Sequence, residues 1–253
     1  MRLTTYLSLL LWLTLSLSAL AQEASAIAEE RAAATVDAFY RTLNLASLRT
    51  DSILFVESHI VTRGQTDTLV MRRWAGQQHR RRVELWHKGI MQMCLFSDGR
   101  TFFESYKSDE GWKSINSEKY YDKAISYDIF GPLYQWQIRG EELTYEGVAY
   151  LQNKPVIRIA ARNSTHYDRH YYFEQDSKLM FLYTESDSIN GEPLSVRGRN
   201  RVDWRAYHEY QPIGSALLPS VESYQHKNSV TLIFHKARYV ATDNRIFTQR
   251  QLP

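Results

Sequence analysis

Alternating apolar and polar residues fill most of the chain and predict β-strands. In the first half the alternating runs are 52–62, 66–74, 79–87, 90–97 and 101–107. Turn residues separate them, and Asp98-Gly99 between two apolar runs is a strong hairpin signal. The first half therefore predicts an antiparallel meander.

The second half repeats this pattern, and two other stretches have helical spacing. The predicted strands are 141–150, 155–162, 167–175, 179–187, 195–208, 217–226 and 230–240. Ahead of all strands, the stretch 27–43 predicts an amphipathic helix whose apolar face consists of Ala32, Val36, Phe39 and Leu43. A weaker helical pattern spans 119–136 and ends in a Gly131-Pro132 breaker.

These elements together predict a mainly β (α+β) fold. With about a dozen strands and helices at the start and middle, we expect a single strongly curved antiparallel sheet. Such a sheet is an unclosed barrel, with the helices covering its concave face. An all-β sandwich is the alternative architecture.

The first residues predict export from the cytoplasm. Arg2 is followed by an apolar stretch at 6–17 and by Ala19-Leu20-Ala21, the small-x-small pattern that signal peptidases recognise. The stretch is shorter than the roughly 20 residues that a membrane-spanning helix needs. The expected division is a signal peptide at 1–21 and one domain at 22–253, with cleavage after Ala26 as the second choice.

Composition and charge narrow the possible function. Thirty-one Lys and Arg against 28 Asp and Glu give a formal charge of +3, which argues against a nucleic-acid partner. Cys94 is the only cysteine, so the fold has no internal disulfide. The sequence has no Gly-x-Ser-x-Gly elbow, His-Glu-x-x-His motif or phosphate-binding glycine loop. We therefore predict no enzyme, no catalytic residues, no metal and no cofactor.

Alternation also sorts the two faces of the first strands. One face is apolar and rich in methionine, a flexible residue that suits a cavity for acyl chains. The alternative is that this face is ordinary core under the N-terminal helix. The opposite face carries Trp74 and Trp86, which would indicate a partner surface if exposed or would alternatively cover the sheet edge.

Several motifs resemble those of the LolA-type periplasmic lipoprotein carriers. The stretch 67–73 (Asp-Thr-Leu-Val-Met-Arg-Arg) is similar to a family strand that ends in Lys-Arg-Pro, with Trp74 in place of the proline. The stretch 97–103 (Ser-Asp-Gly-Arg-Thr-Phe-Phe) resembles the family's Ser-Asp-Gly-Lys-Thr before aromatic residues. Later, 210–214 (Tyr-Gln-Pro-Ile-Gly) and 217–219 (Leu-Leu-Pro) look like the Tyr-Arg-x-x-x-Gly-x-x-x-Pro stretch of lipoprotein-sorting members.

This resemblance implies an unclosed antiparallel barrel with helices as a lid over an apolar cavity. It puts the family's transfer-related arginine at Arg73 and a cavity position at Leu95. Arg73 would then bind a lid residue or a lipid headgroup; alternatively, it is a strand-end arginine that reaches solvent. The predicted lipid- or lipoprotein-binding residues are Leu69, Met71, Arg73, Val83, Leu85, Met91, Met93 and Leu95.

The sequence thus predicts a monomeric periplasmic carrier or binding protein. It would hold acyl chains of lipoproteins or lipids for transfer to the outer membrane, and envelope membrane proteins would load and unload it. One rival is a sensor or regulatory protein-binding module on the same scaffold, favoured by exposed tryptophans. The other is a hydrolase, which would require a serine, a histidine and a carboxylate to converge.

Overall fold

The computed structural model describes residues 2–45, 52–64, 66–76, 80–97, 102–106, 113–114, 128–138, 140–151, 153–162, 169–186, 188–189, 192–193, 202–226, 229–241 and 243–247. These residues contain one α-helix, α1 (Arg2–Leu43), and a short 3-10 turn, Asn244–Phe247. Their strands are β1 (Ile53–Thr62), β2 (Leu69–Ala75), β3 (Arg81–His87), β4 (Ile90–Ser97), β5 (Phe102–Tyr106), β6 (Lys113–Ser114), β7 (Glu142–Leu151), β8 (Lys154–Arg162), β9 (Arg169–Glu174), β10 (Met180–Ser186), β11 (Ser188–Ile189), β12 (Glu192–Pro193), β13 (Val202–Ile213), β14 (Ala216–His226) and β15 (Ser229–Val240).

Thirteen of the described strands form one sheet in the order β6-β5-β4-β3-β2-β1-β15-β14-β13-β10-β9-β8-β7, while β11 and β12 pair separately. The chain enters in the middle with β1 and runs strand by strand to the β6 edge. It re-enters at the opposite edge with β7 and returns to the middle, where β15 pairs antiparallel with β1. The result is an unclosed antiparallel half-barrel, which confirms the predicted fold and excludes the sandwich.

The predicted strand positions hold to within a few residues, with one larger difference. Alternation predicts a strand at 195–208, but β13 is Val202–Ile213. Pro212 does not end the strand and pairs with Leu217. The chain turns instead at Gly214, whose φ of 63° favours glycine. The predicted Asp98-Gly99 turn lies outside the described residues.

Helix α1 joins the predicted leader and the predicted amphipathic helix into one continuous element. It ends at Leu43 and is followed by Asn44, which has the left-handed φ of 51° common just after a helix C-terminus. The Asn44 side-chain amide donates to the Ser215 carbonyl at 3.2 Å and so fixes this end to the β13–β14 turn. Within the described residues, no helix combines the length and hydropathy needed to cross a bilayer. The signal peptide and its cleavage stay a prediction.

The apolar face predicted for the helix is confirmed. Its four residues are between 0% and 3% exposed and pack on the inner face of the strands β7 to β10 and β13. The contacted inner-face residues include Leu143, Ile159, Tyr171, Phe173 and Tyr183. The methionine-rich face of β2 to β4 forms a separate cluster on the other half of the sheet. This face is therefore not part of the core on which α1 packs, and its burial leaves the alternative of ordinary core open.

The segment 128–138 packs on the inner face as a series of turns. The prediction of helical character at 119–136 is wrong for 128–136, and 119–127 lie outside the described residues. Gly131 has a φ of 95°, and the N–H of Tyr134 donates to its carbonyl at 3.2 Å. Ile129 and Phe130 pack with apolar residues of β1, β2 and β14. The segment therefore covers part of the middle of the sheet.

Candidate functional site

Four predicted binding residues, Met71, Val83, Met93 and Leu95, form a buried cluster, here called the inner apolar cluster. None is more than 8% exposed. Sheet register accounts for the grouping, because Val83 pairs directly with Leu95 and residues two apart on a strand share a face. Leu85 packs against the cluster as a half-buried neighbour. The faces of β2 to β4 were thus correctly sorted at these positions.

Two other predicted residues lie at the margin of this cluster. Leu69 is half-buried and pairs with Ile60, which packs against the cluster. Met91 does not continue the row of Met93 and Leu95, because a register shift after Leu85 pairs it with Trp86 of the outer face. The predicted inward orientation of Met91 is wrong, since strict alternation does not anticipate a β-bulge.

Arg73 is buried on the inner face rather than extended into solvent. It is 5% exposed, and its Nη2 atom lies 3.2 Å from both Ser58 Oγ and His235 Nδ1. Arg73 begins a line of polar residues that crosses the middle of the sheet from β2 through β1, β15 and β14 to β13. This buried polar row consists of Arg73, Ser58, His235, Glu222 and Arg205.

Short contacts connect the members of the buried polar row. Ser58 Oγ is 2.7 Å from His235 Nδ1, and His235 Nε2 is 3.0 Å from Glu222 Oε1. Glu222 Oε2 lies 3.5 Å from Arg205 Nη1. Arg205 in turn lies over the rings of Tyr183 and Tyr224, with its guanidinium carbon 5.8 Å and 5.5 Å from their centroids.

The contacts of Arg73 determine the protonation of His235. A guanidinium only donates, so the adjacent Nδ1 must be the unprotonated nitrogen and Nε2 carries the proton toward Glu222. Desolvation lowers the pKa of His235, and Arg73 and Arg205 act in the same direction, against the carboxylate. Desolvation would raise the pKa of Glu222, but His235, Arg205 and Arg73 reverse this and lower it to about 2. The row therefore holds a neutral histidine, an ionised glutamate and two arginines.

Several buried atoms of the row have unmet hydrogen-bonding capacity. Within the described residues, the atoms without a hydrogen-bond partner include Arg73 Nε, Arg205 Nε, His235 Nε2 and Glu222 Oε2. His235 Nε2 lies 3.0 Å from Glu222 Oε1, so the carboxylate is its nearest charged neighbour. Unpaired buried polar atoms are costly and call for a functional explanation.

Ser58, His235 and Glu222 bring together the three groups that the hydrolase hypothesis requires. Ser58, however, is 0% exposed and lies within β1 between two paired strands, so its backbone is engaged in the sheet. Arg73 beside Nδ1 also opposes the positive charge that His235 would gain on accepting the serine proton. The burial of Ser58 and the position of Arg73 therefore both disfavour a nucleophilic serine at this place.

The two outer-face tryptophans are half-buried and make intramolecular contacts. Trp74 lies 5.0 Å from the Phe55 ring, and Trp86 donates to Glu84 at 2.9 Å while Arg72 lies over its ring. Trp74 and Trp86 are therefore not freely exposed, and they pack against neighbours on the outer face. The tryptophans no longer favour a partner-binding module.

Comparison with solved structures gives a clear result for the fold, although no protein-family model and no curated protein matches the sequence. A LolA superfamily protein from Nitrosomonas europaea superposes with a TM-score of 0.58 at 10% identity, over 85% of this chain and 98% of its own. The chain has the LolA-type fold. A DUF1329 family protein from Desulfovibrio piger shares it, with a TM-score of 0.59, 10% identity and coverage of 88% and 99%. A domain from Vibrio parahaemolyticus described as a putative outer membrane lipoprotein-sorting protein domain also shares it. The TM-score is 0.56 at 6% identity, over 82% of this chain and 94% of that domain.

On this LolA-type fold, sequence reasoning found Arg73 but missed its partners in the buried polar row. Strand alternation contains the signal, because His235 lies between Ile233 and Ala237 on the inward-facing side of β15. Glu222 likewise lies four residues from the buried Leu218 on β14, so the two side chains are on the same face of the strand. An ionisable residue at an inward position is unusual enough to mark a candidate site.

The row predicts that acid destabilises the protein through His235. Because its pKa in the folded state is below the ordinary 6.5, the unfolded chain binds more protons, and the stabilisation present above 6.5 is lost as pH falls below it. We expect the free energy of unfolding, measured by urea denaturation, to fall less between pH 7 and pH 5 in His235→Gln than in the wild type. His59→Gln on the outer face of β1 is the control. An equal fall in His235→Gln would contradict the prediction.

Proposed function

We propose that this protein is an exported, periplasmic carrier or binding protein that holds acyl chains of lipoproteins or lipids, not an enzyme. The bound chain would lie along the inner apolar cluster, and the cargo would pass toward the outer membrane. Envelope membrane proteins would load and unload it, and the protein would act as a monomer. The observation that carries the proposal is that this cluster is separate from the core on which α1 packs.

The chemistry of the cluster supports this function. Met71 and Met93 have flexible side chains that adapt to ligands of variable shape. Burial of each CH₂ group stabilises a complex by about 0.8 kcal/mol, so one long chain contributes on the order of 10 kcal/mol before the costs of binding. A LolA-type half-barrel holds this face on its concave side, away from water.

Native mass spectrometry of the purified mature protein, followed by organic extraction, tests the proposal directly. We expect a lipid or an acylated peptide to co-purify, or a fluorescent fatty acid to bind the extracted protein with a one-to-one stoichiometry. Absence of both a co-purifying lipid and fatty-acid binding would refute the carrier function.

A substitution in the inner apolar cluster should weaken this binding. Met93→Gln keeps the side-chain length but places an amide in the path of the chain, at a cost of about 1–3 kcal/mol. We expect the Kd of a fluorescent fatty acid to rise by roughly tenfold or more. Leu232→Gln, at an exposed position of β15, is the control and should leave the Kd unchanged. Equal Kd values for Met93→Gln and the wild type would remove the cluster from the binding site.

A protein-binding sensor or regulatory module is the second candidate function. Val61, Leu232 and Phe234 are exposed on the outer face of the paired strands β1 and β15, and they form a small apolar patch. A pull-down with the lipid-free protein would favour this function if one envelope protein is retained by the wild type and lost in Phe234→Ser. Binding of lipid without any such partner would favour the carrier.

A further inference from the structure

We propose that the buried polar row binds an oxyanion, a phosphate or carboxylate group, which forms the head of an amphiphile whose tail lies on the inner apolar cluster. This inference rests on the proposed carrier function and specifies its ligand as anionic. The row itself, rather than any single residue, would be the recognition site.

The unmet hydrogen-bonding capacity of the row matches an anion. Two of its unpaired atoms are arginine donors, Arg73 Nε and Arg205 Nε, whereas His235 Nε2 already faces Glu222, and one is an acceptor, Glu222 Oε2. A ligand with several acceptor oxygens therefore satisfies more of these atoms than a ligand rich in donors. Arginine is also the side chain best suited to charge-assisted hydrogen bonds with phosphate and carboxylate.

The charge of the buried polar row also favours an anionic ligand. Within the row, two arginines face one glutamate and His235 is neutral, so the row's own residues sum to +1, and the nearby Asp128 offsets part of this charge at Arg73. Arg73 and Glu222 are each 5% exposed, so water screens this charge poorly. An oxyanion would neutralise the excess positive charge.

The row is adjacent to the site proposed for the tail. Arg73 pairs directly with Val83, and Ser58 pairs with Met71, so two members of the row neighbour two members of the inner apolar cluster in the sheet. One ligand could therefore place its head among the arginines and its chain along the methionines. This juxtaposition of charged and apolar residues matches the two parts of an amphiphile.

The segment 128–138 lies beside the row on the inner face of the sheet. Ile129 and Phe130 pack against inner-face neighbours of the row, and Asp128 contributes a negative charge that acts on Arg73. An entering oxyanion would compete with Asp128 for this arginine.

Isothermal titration of the full mature protein with three probes tests the proposal. Dodecyl phosphate carries both head and tail, dodecanol only the tail, and inorganic phosphate only the head. We expect dodecyl phosphate to bind at least about tenfold more tightly than dodecanol. If inorganic phosphate binds more weakly than dodecyl phosphate, the site recognises a lipid head. If the two bind equally tightly, the site recognises free phosphate.

Two substitutions with opposite expected effects separate recognition from a structural role. Arg73→Gln should weaken dodecyl phosphate binding by about tenfold and leave dodecanol binding unchanged. Glu222→Gln removes the competing negative charge and should strengthen dodecyl phosphate binding. Arg238→Gln, at an exposed outer-face position, changes the net charge equally and is the control. Circular dichroism confirms that each variant is folded.

The outcomes distinguish this inference from the carrier function. Equal wild-type affinities for dodecyl phosphate and dodecanol would overturn the oxyanion site and leave the carrier intact. Binding of neither probe would reject the carrier itself. If Arg73→Gln and Glu222→Gln both weaken dodecyl phosphate binding, the row is only structural, and the oxyanion site is again overturned.

Discussion

Replacement of Glu222 by alanine is expected to lower the free energy of unfolding by about 3–5 kcal/mol, because it leaves buried arginine charge without its carboxylate. Glu222 contacts both His235 and Arg205, and no other acidic residue of the buried polar row is present to compensate. Chemical denaturation of the variant and wild type at pH 7 measures the difference. A loss of this size would make the row one of the most sensitive parts of the fold.

The control for this prediction is an ion pair of similar length on the opposite face. Glu57 and Arg72 are 3.0 Å apart, but both side chains are partly exposed, so Glu57→Ala should cost at most about 1 kcal/mol. A double variant, Glu222→Leu with Arg205→Met, should recover part of the stability because it replaces buried charge by apolar contacts. Equal losses for Glu222→Ala and Glu57→Ala would contradict the described burial of the row.

Replacement of Phe173 by alanine is expected to cost a similar 3–5 kcal/mol, for a different reason. Phe173 is 0% exposed, lies on β9 and contacts the ring of Phe39 at 5.4 Å in an edge-on arrangement. Its removal leaves a cavity at the centre of the contact between α1 and the sheet. Thermal and urea unfolding of the variant would measure the loss, and a reduced helical signal before the main transition would show that α1 detaches first.

Phe234→Ala provides the matched control, since this phenylalanine also lies in a strand but is 43% exposed. A substitution at such a surface position typically changes stability by about 0.5 kcal/mol or less. If the two variants lose the same stability, the helix does not pack on the sheet as described.

Local patterns in the sequence predict most of the fold because helices and strands give a periodic spacing of apolar residues over a short stretch of chain. Spacings of four, three and four identified the face of α1 that is buried, and period two located the strands and the residues of the inner apolar cluster. Alternation failed where the backbone departs from a regular pleat. The register shift beside Met91 is one case, and the continuation of β13 through Pro212 is another.

The buried polar row could not be assembled from the sequence because its members meet only through tertiary pairing. Ser58 and His235 are separated by 177 positions, and nothing local to either residue indicates that β1 and β15 are adjacent. Arg73 was found because it lies within a motif that resembles a known family. Arg205 and Glu222 lie outside the family motif that contains Arg73. Only the order of the strands in the sheet brings them into one row with Arg73.

The central pairing of the first and last strands has a consequence for how the chain acquires its structure. While β15 is missing, β1 and β14 each present a bare edge, and the two halves of the sheet are not joined. Closure between such distant parts of a polypeptide carries a large entropic cost and is slow. Folding can therefore be completed only once synthesis has reached the last strand, and a truncation before Ser229 would leave two separate fragments of sheet prone to edge-to-edge aggregation.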